Sequence, residues 1–316
     1  MARRDVFVVG ASAGGIGPLL QLVRGLPADL PASVLVAVHT SPEHPSVLPA
    51  LLSARGKLPA EHAVGGEALE PGRIYVAPPD RHVLVRAGTI DVARGPRENG
   101  HRPAVDVLFR TASRACGPRV VAVVLSGHRD CGTAGAMSVR ARGGLVLVQD
   151  PTTAEAPSMP RNVLERVGAD HVAPPEGLAA ILDRLARDGT PDGAGPQPAG
   201  LAALEGTEAG PRAEVVCPAC HGPLSEAVVG RVTGFRCHAG HAFSLDALAL
   251  EQAEEVERAL WSAVRALEEG AALSRRIALA QNDPDVRRRL LEKHADQAGH
   301  AELIRHLLLY GKAPSR

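Results

Sequence analysis

The chain has 316 residues, enough for one large domain and a smaller second unit. Its 35 basic and 35 acidic residues cancel, which speaks against global attraction to nucleic acid or anionic lipid. Aromatic residues are 2% against 45% hydrophobic overall, so the core has to be built from Val, Leu and Ala.

The N-terminal MARR leads into an apolar run, 6–9, too short for the hydrophobic part of a secretory signal. No stretch approaches the roughly 18 apolar residues that span a bilayer. Three of the five cysteines cluster late in the chain with metal-ligand spacing, which suits a reducing compartment better than a disulfide framework. A cytoplasmic protein is the expectation.

In chain order, buried parallel strands are predicted at 6–9, 34–38, 120–125 and 145–148, where short β-branched runs occur. Helical spacing of apolar residues marks 18–26, 47–54, 104–115 and 135–141. The alternation predicts an α/β fold, a doubly wound and mostly parallel sheet with helices on both faces, over residues 1–186. The runs 73–77, 82–85 and 89–93, separated by Pro78-Pro79-Asp80 and Ala87-Gly88, suggest a small antiparallel addition at a sheet edge. Residues 187–213 are rich in Gly, Pro and Ala without periodicity and read as a flexible linker. A Cys/His module is expected over 214–243 and an α-helical hairpin over 244–316. In the hairpin Ser244 caps a long helix running to about 280, and Asn282-Asp283-Pro284 separates it from a second helix ending near 309.

The chemistry concentrates where strands end. Gly10-Ala11-Ser12-Ala13-Gly14-Gly15 follows a strand and precedes a helix, so Gly10, Ser12 and Gly14 satisfy the G-x-S-x-G nucleophile elbow. The amides that follow, near a helix N-terminus, suit an oxyanion. A phosphate-binding loop uses similar glycines, but this spacing is not G-x-G-x-x-G, and the second strand ends in His39 rather than an acidic residue. His39 at the carboxyl edge is placed to take the Ser12 proton. Asp130, after the strand 120–125, is the candidate carboxylate to orient that imidazole. Cys131 as a nucleophile beside a His is a weaker alternative.

These motifs resemble the catalytic domain of the CheB-type methylesterases over about residues 4–185. GASAGG (10–15) matches the nucleophile loop, and YVAPPDRHVLV (75–85), ENGHRPAVDVLF (98–109), LSGHRDCGTAG (125–135) and PSMPRNVLE (157–165) follow in order. The resemblance implies hydrolysis of glutamyl methyl esters on methyl-accepting chemoreceptors or similar helical signalling proteins, extending to glutamine deamidation, with no catalytic cofactor. The departure is Cys131, which stands where the family has its catalytic Asp. A degenerate domain serving as a binding or regulatory module is therefore the alternative. The chain begins at the catalytic strand, so it resembles members without a receiver domain.

Cys217-x2-Cys220 and Cys237-x3-His241 supply four donors for a tetrahedral structural zinc, with His238 and His221 as alternative ligands. The resemblance implies that this module is a family accessory. In the hairpin, Leu260, Trp261, Val264, Leu267 and Ala271 form an apolar stripe for packing on itself or on a dimer mate. Docking to a coiled-coil receptor is the sharper reading of that stripe. The module has few aromatics and mixed charge, so nucleic acid is not an expected partner.

Overall fold

A computed structural model describes residues 3–40, 45–188 and 197–311. The chain divides into two compact units, Met1–Leu248 and Ala249–Arg316.

The first unit is built on strands β1 (Val6–Ala11), β2 (Ser33–Val38), β3 (Ala60–His62), β4 (Ile74–Val76), β5 (His82–Arg86), β6 (Thr89–Ala93), β7 (Val120–Val124), β8 (Leu145–Gln149) and β9 (His171–Ala173). Seven of them form one sheet in the order β3-β4-β2-β1-β7-β8-β9, with every pairing parallel. Helices α1 (Ile16–Gly25), α2 (Leu48–Arg55), α3 (Val105–Cys116), α4 (Thr133–Arg140), α5 (Ser158–Arg166) and α6 (Pro175–Arg187) provide the crossovers. All residues of β1, β2 and β7 are buried, because helices cover both faces. The core lies in two layers: Phe7, Val9, Leu22 and Leu182 on one face, Val8, Leu35, Leu108 and Phe109 on the other. Each such side chain contributes about 1.5–3 kcal/mol of burial.

The expected antiparallel addition is smaller than the sequence suggests. β5 and β6 pair as an antiparallel hairpin, but β4 joins the main sheet between β2 and β3. All three residues of β4, Ile74–Val76, are buried, as suits a strand inside the main sheet and not an edge addition.

The remainder of the first unit contains α7 (Leu201–Glu205), then β10 (Arg212–Val216), β11 (Pro223–Val229), β12 (Val232–Cys237) and β13 (Ala242–Ser244), a four-stranded antiparallel sheet. The expectation of a featureless linker over 187–213 needs correction within the described part; 189–196 lie outside it. α7 buries Leu201 and Leu204 against Val229 and Val232. Its Glu205 carboxylate accepts from Arg114 at 2.7 Å and from Arg142 at 2.6 and 2.9 Å. A Gly/Pro-rich composition hid a tethering ion pair whose partners lie over 60 residues away.

α8 (Leu245–Ala280) begins in the first unit and continues into the second, where α9 (Pro284–Tyr310) follows. Ser244 caps α8 as expected, its hydroxyl accepting from the Ala247 amide at 3.1 Å. Asp283 caps α9 by accepting from Asp285 and Val286. In the second unit Val264, Ala271, Ser274, Ala278 and Ala301 are buried, while Trp261 is 40% exposed and falls outside the seam expected for it. Ser274 donates to Gln297 Oε1, and His294 Nδ1 lies 2.9 Å from the Ala271 carbonyl. No helix among the described residues is long and apolar enough to cross a membrane.

Candidate hydrolytic site and metal centre

Strand register brings the candidate nucleophile and base together. Ala11, the last residue of β1, pairs with Val38, the last of β2. The ladder runs one step further, the His39 amide donating to the Ala11 carbonyl at 3.2 Å, so Ser12 and His39 leave neighbouring strand tips side by side. Ser12 Oγ and His39 Nδ1 are 3.0 Å apart, within reach for direct proton transfer. On the other flank the Ser12 amide donates to the Ser126 carbonyl, at the tip of β7. The strand order switches between β1 and β7, so Ser12 borders the topological switch point where open α/β sheets place their ligands, with His39 on the adjoining tip of β2.

Two glycines make the loops fit. Gly14 has φ +65°, and a Cβ there would lie 2.7 Å from Glu155 Cβ. A Cβ on Gly127 would collide with the Met159 thioether and sit 2.9 Å from Ser12 Cβ. The loop after β7 can therefore press against the nucleophile only as glycine.

His39 is half-buried, with its Nε2 sealed from solvent and without a hydrogen-bond partner among the described residues. Burial, followed by the nearby His101 and Arg129, holds its pKa well below the ordinary 6.5. The ring is therefore neutral at pH 7, the form a general base requires. His101 stacks on it, with 3.7 Å between centroids and 14° between planes. Burial also lowers His101, to about 4, with Arg129 and Arg97 adding to the effect. The cleft over this pair is open and about 570 Å³, bordered by Gln21, Thr153 and Glu155.

Asp130 is not brought to the pair. It is 2% exposed, and its two oxygens are engaged elsewhere: Oδ1 accepts from Ser244 Oγ at 2.6 Å and Oδ2 from Arg166 at 3.0 Å. The neighbouring Cys131 is also 2% exposed and packs against the amides of Val105 and Asp106 and the side chain of Asn99. Burial, with the Asp106 charge beside it, pushes its thiol well above 9, so it is not a thiolate nucleophile. Adjacent positions at a strand end face different neighbours, which a linear motif does not resolve.

His101 is the site residue that sequence reasoning left without a role. Its signal was the Asn99-Gly100 pair, since both residues have positive φ (52° and 76°) and close a tight turn that delivers the following His.

The second candidate site lies in the antiparallel sheet. One donor atom each from Cys217, Cys220, Cys237 and His241 fall within 4.8 Å of one another. Cys220 and Cys237 sulfurs are 3.6 Å apart, and His241 Nδ1 is 3.8 Å from Cys217 Sγ and 3.5 Å from Cys237 Sγ. Zn–S and Zn–N lengths in tetrahedral geometry require edges of about 3.8 and 3.5 Å, so this donor set fits zinc. The cysteines are free thiols. His241 supplies the donor that completes the group, in preference to His238 or His221.

Comparison with known proteins agrees with the fold and its loops. The family model described as CheB methylesterase matches residues 7–182, more than half of the chain. A Methanosarcina mazei protein named protein-glutamate methylesterase/protein-glutamine glutaminase 2 is 35% identical over 192 residues, 58% of this chain and 52% of that protein. A similarly named Myxococcus xanthus protein is 38% identical over 59% of this chain and 55% of its own length. The chain thus spans about half the length of these relatives, whereas it covers 94% of a Leptospira interrogans relative at 32% identity. The crystal structure of the Thermotoga maritima CheB methylesterase catalytic domain is 31% identical, with a TM-score of 0.55 over 58% of this chain and 99% of that one. The chain belongs to the CheB methylesterase family.

Proposed function

We propose that the chain is a protein-glutamate methylesterase that hydrolyses glutamyl methyl esters on chemoreceptor-like helical signalling proteins, and glutamine side-chain amides by the same route. The observation that carries this reading is the 3.0 Å contact between Ser12 Oγ and the neutral His39 imidazole at the floor of an open cleft. An open cleft suits an ester carried on the surface of another protein better than a small free metabolite. Names of relatives support the same substrate class.

In the proposed reaction His39 Nδ1 takes the Ser12 proton as Oγ attacks the ester carbonyl. The Ala13 and Gly14 amides, between the nucleophile and the N-terminus of α1, receive the oxyanion. The protonated ring then returns the proton to the departing methoxide, releasing methanol and leaving an acyl-serine. Water activated by the same nitrogen cleaves the acyl group and restores the carboxylate. With Nδ1 as base, the ring hydrogen sits on Nε2, which lacks an acceptor among the described residues. Turnover below that of a complete triad is the consequence.

The same reading includes a structural zinc held by Cys217, Cys220, Cys237 and His241, which cross-links the sheet that carries it and supplies no reacting group. A cytoplasmic location suits free thiols in that site.

The test is methanol release from a methylated receptor fragment by wild type and Ser12→Ala, alongside labelling by a fluorophosphonate. Release and labelling that vanish in the variant support the reading. Equal release from both proteins removes Ser12 from the mechanism.

A further inference from the structure

The turn that carries His101 is held from two sides, by the methylesterase fold and by the Cys/His module. Glu98 and His101 exchange backbone hydrogen bonds at 3.2 and 2.9 Å, closing the turn around Asn99 and Gly100. Within the catalytic fold the turn is gripped by Arg110, whose guanidinium donates to both Glu98 oxygens at 3.0 and 2.6 Å, and by Asp106, which accepts from the Asn99 amide group at 2.9 Å.

The other grips come from the Cys/His module. The Asn99 amide donates to the Ala242 carbonyl at 2.8 Å, and Asn99 Oδ1 accepts from the Ser244 amide at 2.7 Å. Arg236 donates to Glu98 at 3.2 Å and to the Gly240 carbonyl at 3.3 Å. A Cβ on Gly240 would lie 3.1 Å from Pro96 Cγ, so the module lies close against the approach to the turn. Arg236, Gly240, Ala242 and Ser244 flank and interleave with Cys237 and His241, two of the four donors. The knuckle that closes around a metal is thus the segment that grips the turn.

We propose that the Cys/His module is a positioning element of the hydrolytic site: its segment 236–244 holds the 98–101 turn, and the turn holds the His101 ring against His39. The proposal rests on His39 being the general base. His101 and Arg236 are positioning residues and touch no reacting atom. Because His39 Nε2 has no hydrogen-bonding partner among the described residues, the stacked ring takes over the orienting task that a carboxylate performs in a triad. Neutral rings stack without mutual repulsion, and burial keeps both uncharged at pH 7.

The experiment uses the full chain with histidine labelled for NMR, so that the His39 ring resonances are read together with ester hydrolysis. Arg236→Gln loosens the grip on Glu98. Cys217→Ser removes a donor on the opposite knuckle, which does not touch the turn. Chelation of the wild type removes the metal without any substitution, and backbone resonances of the central strands report whether the catalytic fold persists. The expected result in all three is a shift of the His39 ring resonances and a fall in kcat of about ten- to a hundred-fold with KM unchanged. His101→Ala should reproduce that signature, and His101→Phe, which keeps a flat ring, should recover most of the rate. Unshifted His39 resonances and wild-type kcat in Arg236→Gln and after chelation would overturn the proposal. Should wild type hydrolyse no ester, the reading of His39 as base fails separately, and the resonances alone decide whether the module reaches the stack.

Discussion

Ser244 Oγ donates to Asp130 Oδ1 across 2.6 Å, while the same oxygen accepts from the Ala247 amide and caps α8. The carboxylate that sequence offers as the orienting member of a triad is thereby committed to the start of a helix more than a hundred residues later. Arg166 takes its second oxygen and also pairs with Asp246 at 2.8 Å.

Asp130→Asn is therefore expected to act on stability and not on chemistry. Losing a charged hydrogen-bond acceptor that is 2% exposed costs about 1.5–3 kcal/mol, seen as a lower urea midpoint. The kcat of the folded variant stays near wild type. A loss approaching the roughly 10⁴-fold effect of neutralising a triad carboxylate would restore Asp130 to the reaction.

Cys131→Asp puts a carboxylate at the position where the resemblance places the family's acid. The amides of Val105 and Asp106 at the start of α3 face this side chain and offset part of the burial and the Asp106 charge that oppose an anion there. Turnover is expected to rise, by about ten-fold or more, below the ceiling set by a full triad. Methanol release measured at saturating substrate checks it, and an unchanged kcat refutes it.

The pH dependence of hydrolysis follows from His39. Burial, then His101 and Arg129, lower its pKa, so the ring stays neutral as the solution is acidified past 6.5. The acid limb of kcat/KM is expected below 6.5, with a flat plateau from there to pH 8. A limb at or above 6.5 would show that another group controls the rate. For stability the sign is the same: the unfolded chain binds the proton more readily, so this contribution is present above 6.5 and is lost as pH falls below it.

Glu98 gives a second pH signature. Burial acts to raise its carboxyl, but the charges of Arg110 and Arg236 outweigh burial and hold it at about 2. A depressed carboxylate stabilises the fold above its unfolded value of 4.5, and that contribution disappears as pH falls from 4.5 through about 2. Glu98→Gln takes the paired carboxylate from buried Arg110 and half-buried Arg236, leaving Arg110 only the more distant charges of Asp106 and Glu205, at a cost of up to about 3–5 kcal/mol in denaturant titration at pH 7. An unaltered midpoint would mean that the cluster carries no stability.

Metal content offers the simplest check on the module. Purified protein is expected to contain one equivalent of zinc, and Cys217→Ser to contain none. Chelation should lower the melting temperature, because binding energy at such a site is folding energy. Metal-free wild type that melts at the same temperature with and without added zinc would refute the assignment.

Much of the catalytic fold was legible because its signals are local. Runs such as VFVV at 6–9 and VLVAV at 34–38 are apolar on both faces and specify central parallel strands. G-x-S-x-G at 10–14 and His39 each sit at the end of such a run, so their meeting at one sheet edge follows from the α/β alternation. The short edge strands β3 and β9, with three residues each, carry no comparable signal and were not anticipated. The Cys217–Cys220 and Cys237–His241 spacings were legible for a related reason: a ligand set repeats in tight turns a few residues long.

Taken alone, the sequence determined the order of the chemistry along the chain, Ser12 and His39 as neighbours-to-be, and the three thiols of the module with its histidine left open. Only the tertiary structure decided where Asp130 and Glu205 point, that His101 covers His39, and that the module grips the turn bearing it. The physical reason is range. Periodicity and turn chemistry act over a few residues and are written in order, whereas a buried carboxylate must find a counter-charge or a hydroxyl from wherever the folded chain supplies one. Asp130 found Ser244, 114 residues away, before it could find His39.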